Sequence, residues 1–104
     1  MVKLEKIKGL LEEQKKELEE KFQVEKMGIF GSYVRGEQNK TSDLDLLVSF
    51  KNPVGLFKFV ALERYLTNIT GQKVDLVMQS ALKPRIGKHI LKEVVYILLR
   101  SPRI

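Results

Sequence analysis

Three aspartates stand in apolar runs where an isolated charge is costly. Asp43 and Asp45 alternate with Leu44, Leu46 and Val48, and Asp75 interrupts the run Val74 to Met78. Side chains alternate faces along a strand, so Asp43 and Asp45 share one face and Leu44, Leu46 and Val48 the other. Neighbouring carboxylates repel and are expensive to desolvate. Such a pair is kept most readily where a divalent cation offsets the charge. Asp75 faces the side opposite Val74, Leu76 and Met78, so if its strand lies beside that of Asp43 and Asp45, the three acids meet on one polar edge. That is an oxygen donor set suited to Mg²⁺ and substrate phosphates. Two such ions can clamp the attacking and leaving oxygens of a phosphoryl or nucleotidyl transfer. The competing reading is that the acids cap turns or pair with lysines at strand ends. It fits Asp75 taken alone better than it fits the Asp43/Asp45 pair.

Gly31-Ser32 supplies a complementary part. Glycine lets backbone approach an anion closely, and a serine opening a helical turn adds a hydroxyl beside amide N–H groups. A Gly-Ser dipeptide is common; what is specific is Gly-Ser, ten residues, then Asp-Leu-Asp heading an apolar strand. Arg35, just past the turn, is read either as a phosphate partner or as a solvated charge. Lys83, Arg85 and Lys88 flank Pro84 and are read as surface charges with nucleotide or partner contact as the alternative. His89, the one histidine, is read as structural or surface, Tyr33 either as near the nucleotide or as a core or rim residue, and Tyr65 and Tyr96 as core.

The elements that must position these residues follow from periodicity. Leu4, Ile7, Leu11, Leu18 and Phe22 form the stripe of one amphipathic helix from about Val2 to Phe22, weakened by Gly9. A strand over Val24 to Phe30 rises into Gly31, and Ser32 to Gly36 forms one helical turn capped by Ser32. Glu37 to Ser42 is a polar loop, and the second strand spans Asp43 to Phe50. A helix runs from about Pro53 to Asn68, with Gly71 as its stop. Val74 to Met78 is the third strand. Pro84 to about Glu93 is a helix with proline in its first turn. Val94 to Leu98 reads either as the end of that helix or as an edge strand. This order predicts an α/β (α+β) fold, a small mixed sheet packed by helices, in one domain over residues 1–104.

The bulk numbers exclude several classes. Cysteine is absent, so there is no disulfide framework, thiol nucleophile or Cys-based zinc site. The charged N-terminal stretch is no signal peptide and no run spans a bilayer, so a cytoplasmic location is expected. The net charge of +6 suits an anionic partner, but the 19 basic residues are scattered and fit a solvated surface as well. Direct DNA binding is not expected, because the strands carry carboxylates where a DNA-facing surface wants lysine.

Gly31-Ser32, Arg35-Gly36 and the run Ser42-Asp43-Leu44-Asp45-Leu46-Leu47-Val48 resemble the signature of the DNA polymerase β-type nucleotidyltransferase superfamily. Within it the chain resembles the minimal nucleotidyltransferases, whose members include antitoxins paired with HEPN-domain toxins. The likeness extends to Asp75 in its VDLV run and to the tail LKPRIGKHILKEVVYIL. It implies that Asp43, Asp45 and Asp75 form a Mg²⁺-binding triad, and that Gly31 and Ser32 bind the β- and γ-phosphates of ATP. The equivalent of Asp75 in some members is the base that activates the acceptor hydroxyl. It implies, too, transfer of AMP to a tyrosine of a HEPN toxin, with pyrophosphate leaving and no covalent enzyme intermediate. Two rivals remain at this point: a nucleotidyltransferase for a small molecule or an RNA end, and a non-catalytic antitoxin that masks its toxin.

Overall fold

The computed structural model describes residues 2–97. Its centre is a four-stranded mixed sheet, ordered β3-β2-β1-β4, with β1 at Val24–Phe30, β2 at Leu44–Phe50, β3 at Val74–Met78 and β4 at Val95–Tyr96. β1 pairs antiparallel with both β2 and β4, while β2 and β3 run parallel. Parallel neighbours need a crossover, and the helix α4, Leu56–Thr70, provides it.

The hydrophobic core lies between one sheet face and the helices α1 (Leu4–Glu13), α2 (Lys15–Glu20) and α4. Leu44, Leu46 and Val48 alternate into it from β2, and Met27 and Ile29 from β1. A register shift between Val24 and Lys26 lets Val24 turn inward as well. Ile7, Leu11, Leu18 and Phe22 meet them from the helical side, as the stripe predicts.

The N-terminal helix is broken, and at Gln14 instead of Gly9. Gln14 leaves helical geometry (φ −100°, ψ 15°) and its Oε1 accepts a hydrogen bond of 2.7 Å from the Tyr65 hydroxyl. The stripe itself shows why: from Leu11 to Leu18 no apolar residue fills the inward position, and Gln14 stands there instead. α4 begins at Leu56, three residues later than expected, because Gly55 takes the N-cap with extended geometry (ψ 170°). The helix runs to Thr70, past the expected Asn68, and stops at Gly71 as read, which is left-handed (φ 69°).

Helix α5, Pro84–Glu93, has the predicted bounds, and a 3₁₀ turn at Gln79–Ala81 connects it to β3. The ambiguous stretch after it forms the edge strand β4; Leu98 lies outside the described residues. Tyr96 is 42% exposed, which corrects the core expectation, because an edge strand two residues long leaves its outer side uncovered. Gly28 makes the docking of this strand possible. A Cβ there would collide with Val94 Cγ2 and press on Tyr96 Cδ1 at 3.2 Å. Gly28→Ala is therefore expected to lower stability by about 1–3 kcal/mol through overpacking. An unchanged urea midpoint would show that the Val94–Tyr96 segment adjusts without cost.

Candidate active site

The three aspartates gather where β1 ends and β2 and β3 begin. Asp45 lies in register with Phe30 of β1 on one side and with Asp75 of β3 on the other. Strand adjacency, the condition left open by the sequence, thus puts Asp45 and Asp75 side by side. Asp43 falls just before β2 and not within it. Pairing with β3 starts one residue later, where the Leu44 N–H donates to the Lys73 carbonyl at 2.7 Å. The preceding loop is set by its own polar side chains: Asn39 Oδ1 accepts from the Thr41 N–H at 2.9 Å, and the Asn39 N–H donates to Ser42 Oγ at 3.0 Å. Lys73 Nζ stands 4.0 Å from Asp43 with both side chains well exposed, a contact of little energetic weight.

Opposite the acids, Gly31 turns the chain out of β1 into the short helix α3, Ser32–Arg35. Gly31, with φ 79° and ψ −150°, is the N-cap, so Ser32 is the first helical residue and not the cap. The Gly31 carbonyl accepts from the N–H groups of Val34 and Arg35, and no side chain caps the turn. A Cβ on Gly31 would run into Asp45 Oδ2, so backbone and carboxylate are in direct contact. Gly36, left-handed at φ 71°, closes the turn. Tyr33 is buried, with its hydroxyl donating to Gln72 Oε1 at 2.9 Å, which makes it a core residue.

Burial pushes the Asp45 carboxyl up to about 6, and the charges of Asp75 and Asp43 push in the same direction. Arg35 opposes them and Glu93 adds a smaller upward push. Asp45 is thus the electrostatic centre of the cluster, and like charge around it is poorly screened.

Glu93, the last residue of α5, is the member of this site that sequence reasoning missed. Its Oε1 accepts from the Gly31 N–H at 2.9 Å, and Arg35 Nη1 donates to both its carboxylate oxygens at 3.2 and 3.0 Å. Arg35 Nε meanwhile donates to Glu37 Oε1 at 2.8 Å. Arg35 is therefore an ion-paired residue and not a free solvated charge. A signal was present: Glu93 is the only acid of α5 and occupies its last turn, where the helix dipole disfavours negative charge. Lys83, Arg85, Lys88 and His89 are exposed.

Concave surfaces of about 340 and 570 Å³ are present, the first lined by residues such as Phe50, Pro53 and Met78, the second by Leu4, Tyr33 and Gln38. Neither is lined by the acids, and Asp75 is exposed. Asp43 and Asp45 are half-buried, and a further concave surface of about 330 Å³ borders them at Lys73 and Val74.

Among the described residues, no three acidic, histidine or cysteine side chains converge tightly enough to hold a metal ion as they stand. The donor chemistry nevertheless fits a hard divalent cation. The ligands available are carboxylate oxygens alone, and Asp45 is pushed up by burial first and then by the charges of Asp75 and Asp43, a repulsion that a bound cation would offset.

A sheet of this order, with paired acids heading its second strand beside a Gly-Ser turn, defines the nucleotidyltransferase class. A family model for the nucleotidyltransferase domain matches residues 11–97, and the chain belongs to that family of enzymes. It is similar to the protein adenylyltransferase MntA of Thermococcus cleftensis, 52% identical over 93% of this chain and 98% of the relative. A solved structure of a candidate minimal nucleotidyltransferase superimposes with a TM-score of 0.76 at 32% identity, covering 90% of this chain and 95% of the other. The fold is shared as well with a chain in the complex of a tri-AMPylated HEPN toxin and MNT antitoxin from Shewanella oneidensis. There the TM-score is 0.61 at 18% identity, over 86% of this chain and 70% of that one. Among the described residues, no helix is long and apolar enough to cross a membrane.

Proposed function

We propose that the protein is a Mg²⁺-dependent protein adenylyltransferase that moves AMP from ATP onto a HEPN-domain toxin, as the antitoxin of a two-component pair. The observation that carries this reading is the direct apposition of Gly31 to Asp45, with Asp75 in register beside it. Phosphate-binding turn and acids are close enough to act on one triphosphate. Similarity to the adenylyltransferase MntA supports AMP as the group moved. The same similarity supports a protein as the acceptor. The cysteine-free composition is compatible with a reducing, cytoplasmic location.

In this mechanism Asp43, Asp45 and Asp75 would hold a divalent cation, which would supply Lewis-acid stabilisation of charge on the phosphates. Ser32 binds the β- and γ-phosphates with its hydroxyl and its amide, beside the Gly31 backbone, and Arg35 contributes positive charge. Asp75 takes the proton of the acceptor hydroxyl as its oxygen bonds to the α-phosphorus. The bond from that phosphorus to the bridging oxygen breaks, and pyrophosphate leaves.

Incubating the protein with Mg²⁺, α-labelled ATP and lysate from its source tests the proposal, with the Asp43→Asn/Asp45→Asn double variant alongside. The expected result is a labelled protein band with the wild type alone. Label in RNA or in small molecules would overturn the protein acceptor. No label anywhere, with toxin neutralisation retained by the double variant, would replace the proposal with masking by binding.

A further inference from the structure

We infer that Glu93 is a positioning residue of the nucleotide site, aligning the Gly31-Ser32 turn and aiming Arg35; this deepens the nucleotidyl-transfer proposal and rests on it. Glu93 adds negative charge to a patch that already carries Asp43, Asp45 and Asp75 and pushes Asp45 further up. For a site that takes a polyanion, a fourth carboxylate is a cost, so it needs a structural return. The contacts supply one. One oxygen serves as acceptor for the Gly31 N–H, at the residue where the chain takes its φ of 79°. With that amide engaged, the orientation of the peptide entering the turn is fixed.

The same carboxylate holds Arg35 through Nη1, while Glu37 holds Nε. The guanidinium is half-exposed, but bonds at Nε and Nη1 restrict its orientation, and Nη2 is the nitrogen not used in these ion pairs. Rigid placement of a donor lowers the entropic cost of binding. Glu93 is itself tied to the sheet, because Val94, the next residue, packs against Gly28 and Val95 pairs with Ile29. The α5–β4 junction therefore reports its position to the phosphate turn through one side chain.

The test compares the wild type, Glu93→Ala and Glu93→Gln for Kd of Mg-ATP and of AMP by calorimetry, with thermal denaturation alongside. Glu93→Ala is expected to weaken Mg-ATP about tenfold, in line with loss of charge-assisted hydrogen bonds, and to leave AMP within about twofold. A merely structural role would weaken both nucleotides alike. Glu93→Gln retains an oxygen acceptor for the Gly31 amide and is expected to recover about half of the loss on a logarithmic scale. Equal weakening of ATP and AMP, unchanged ATP binding in both variants, or tighter ATP binding after removal of the charge would each overturn the positioning role. If the wild type itself binds no Mg-ATP, the nucleotidyl-transfer proposal fails, a result distinct from these.

Discussion

Asp45→Asn is expected to abolish nucleotidyl transfer while making the metal-free protein more stable. The activity loss follows from its place in the cluster, between Phe30 and Asp75 and in contact with Gly31. An amide in that position neither carries the charge that holds a divalent cation nor supplies a second anionic oxygen. Transfer should fall by about three orders of magnitude or more, as when a central electrostatic group of an active site is removed. The stability gain has a separate origin. In the folded chain the carboxyl is pushed up to about 6 from an ordinary 3.8, by burial first and then by Asp75 and Asp43. A raised carboxyl binds its proton more tightly folded than unfolded, so between pH 3.8 and about 6 the native state holds more protons. Stability from this group therefore falls as pH rises through that window, and the full penalty is present above it. Because Asp45 is partly exposed, solvent screening reduces the penalty to about 1 kcal/mol. Urea unfolding in EDTA at pH 7.5 and at pH 4 is the measurement. Asp45→Asn should gain at the higher pH and lose that advantage at the lower one. Added Mg²⁺ should stabilise the wild type more than the variant. A variant less stable than wild type at pH 7.5 in EDTA would contradict the repulsion on which the argument rests.

The parts of this site that were legible in the sequence are those whose chemistry conflicts with their local element. Asp43, Asp45 and Asp75 announce themselves because a charge in an apolar strand needs a reason, and strand alternation then dictates which face they share. Adjacency of β2 and β3 stood only as a condition in that reading, and the register of Asp45 with Asp75 meets it. Glu93 was not visible in the same way. It stands 62 residues from its partner amide, at the end of a helix whose bounds were read without showing what its last residue meets. Long-range pairing of one side chain with one backbone N–H leaves no periodicity to read. Its only local trace is an acid at the wrong end of a helix. Ser32 shows the opposite failure. Serine is a common N-cap, but Gly31 takes that place with a backbone conformation that serine would strain to adopt, and the serine hydroxyl stays out of the capping role. The break at Gln14 belongs to the same kind: the polar residue at an inward position was in view, but its partner Tyr65 lies 51 residues away.

Gly31→Ala should be the most damaging single-methyl change in the chain, and the double variant with Asp45→Ala shows why. Two costs act at once. At φ 79° and ψ −150° the backbone occupies a region essentially reserved for glycine, at about 1–3 kcal/mol for any other residue. The new Cβ would also collide with Asp45 Oδ2, and relieving that overlap costs about another 1–3 kcal/mol. The carboxylate is the far end of a flexible side chain, so the protein is expected to fold with Asp45 rotated away from the turn. That relief is what inactivates it, since a displacement of about 1 Å in a reacting constellation costs on the order of 10²-fold in rate. Combining Gly31→Ala with Asp45→Ala separates the two costs in urea unfolding. With the carboxylate gone the collision disappears, and Gly31→Ala should then cost only its backbone share. The coupling between the two positions should be about 1–2 kcal/mol, in the range for residues in contact. Strict additivity would mean that Gly31 and Asp45 do not touch in solution. Gly31→Ala with both wild-type stability and wild-type transfer would remove the geometric basis for pairing this turn with the acids. A large coupling together with lost transfer would show that the glycine is required because Asp45 must lie against it, and that the Gly31 turn and the Asp45 carboxylate act as one unit.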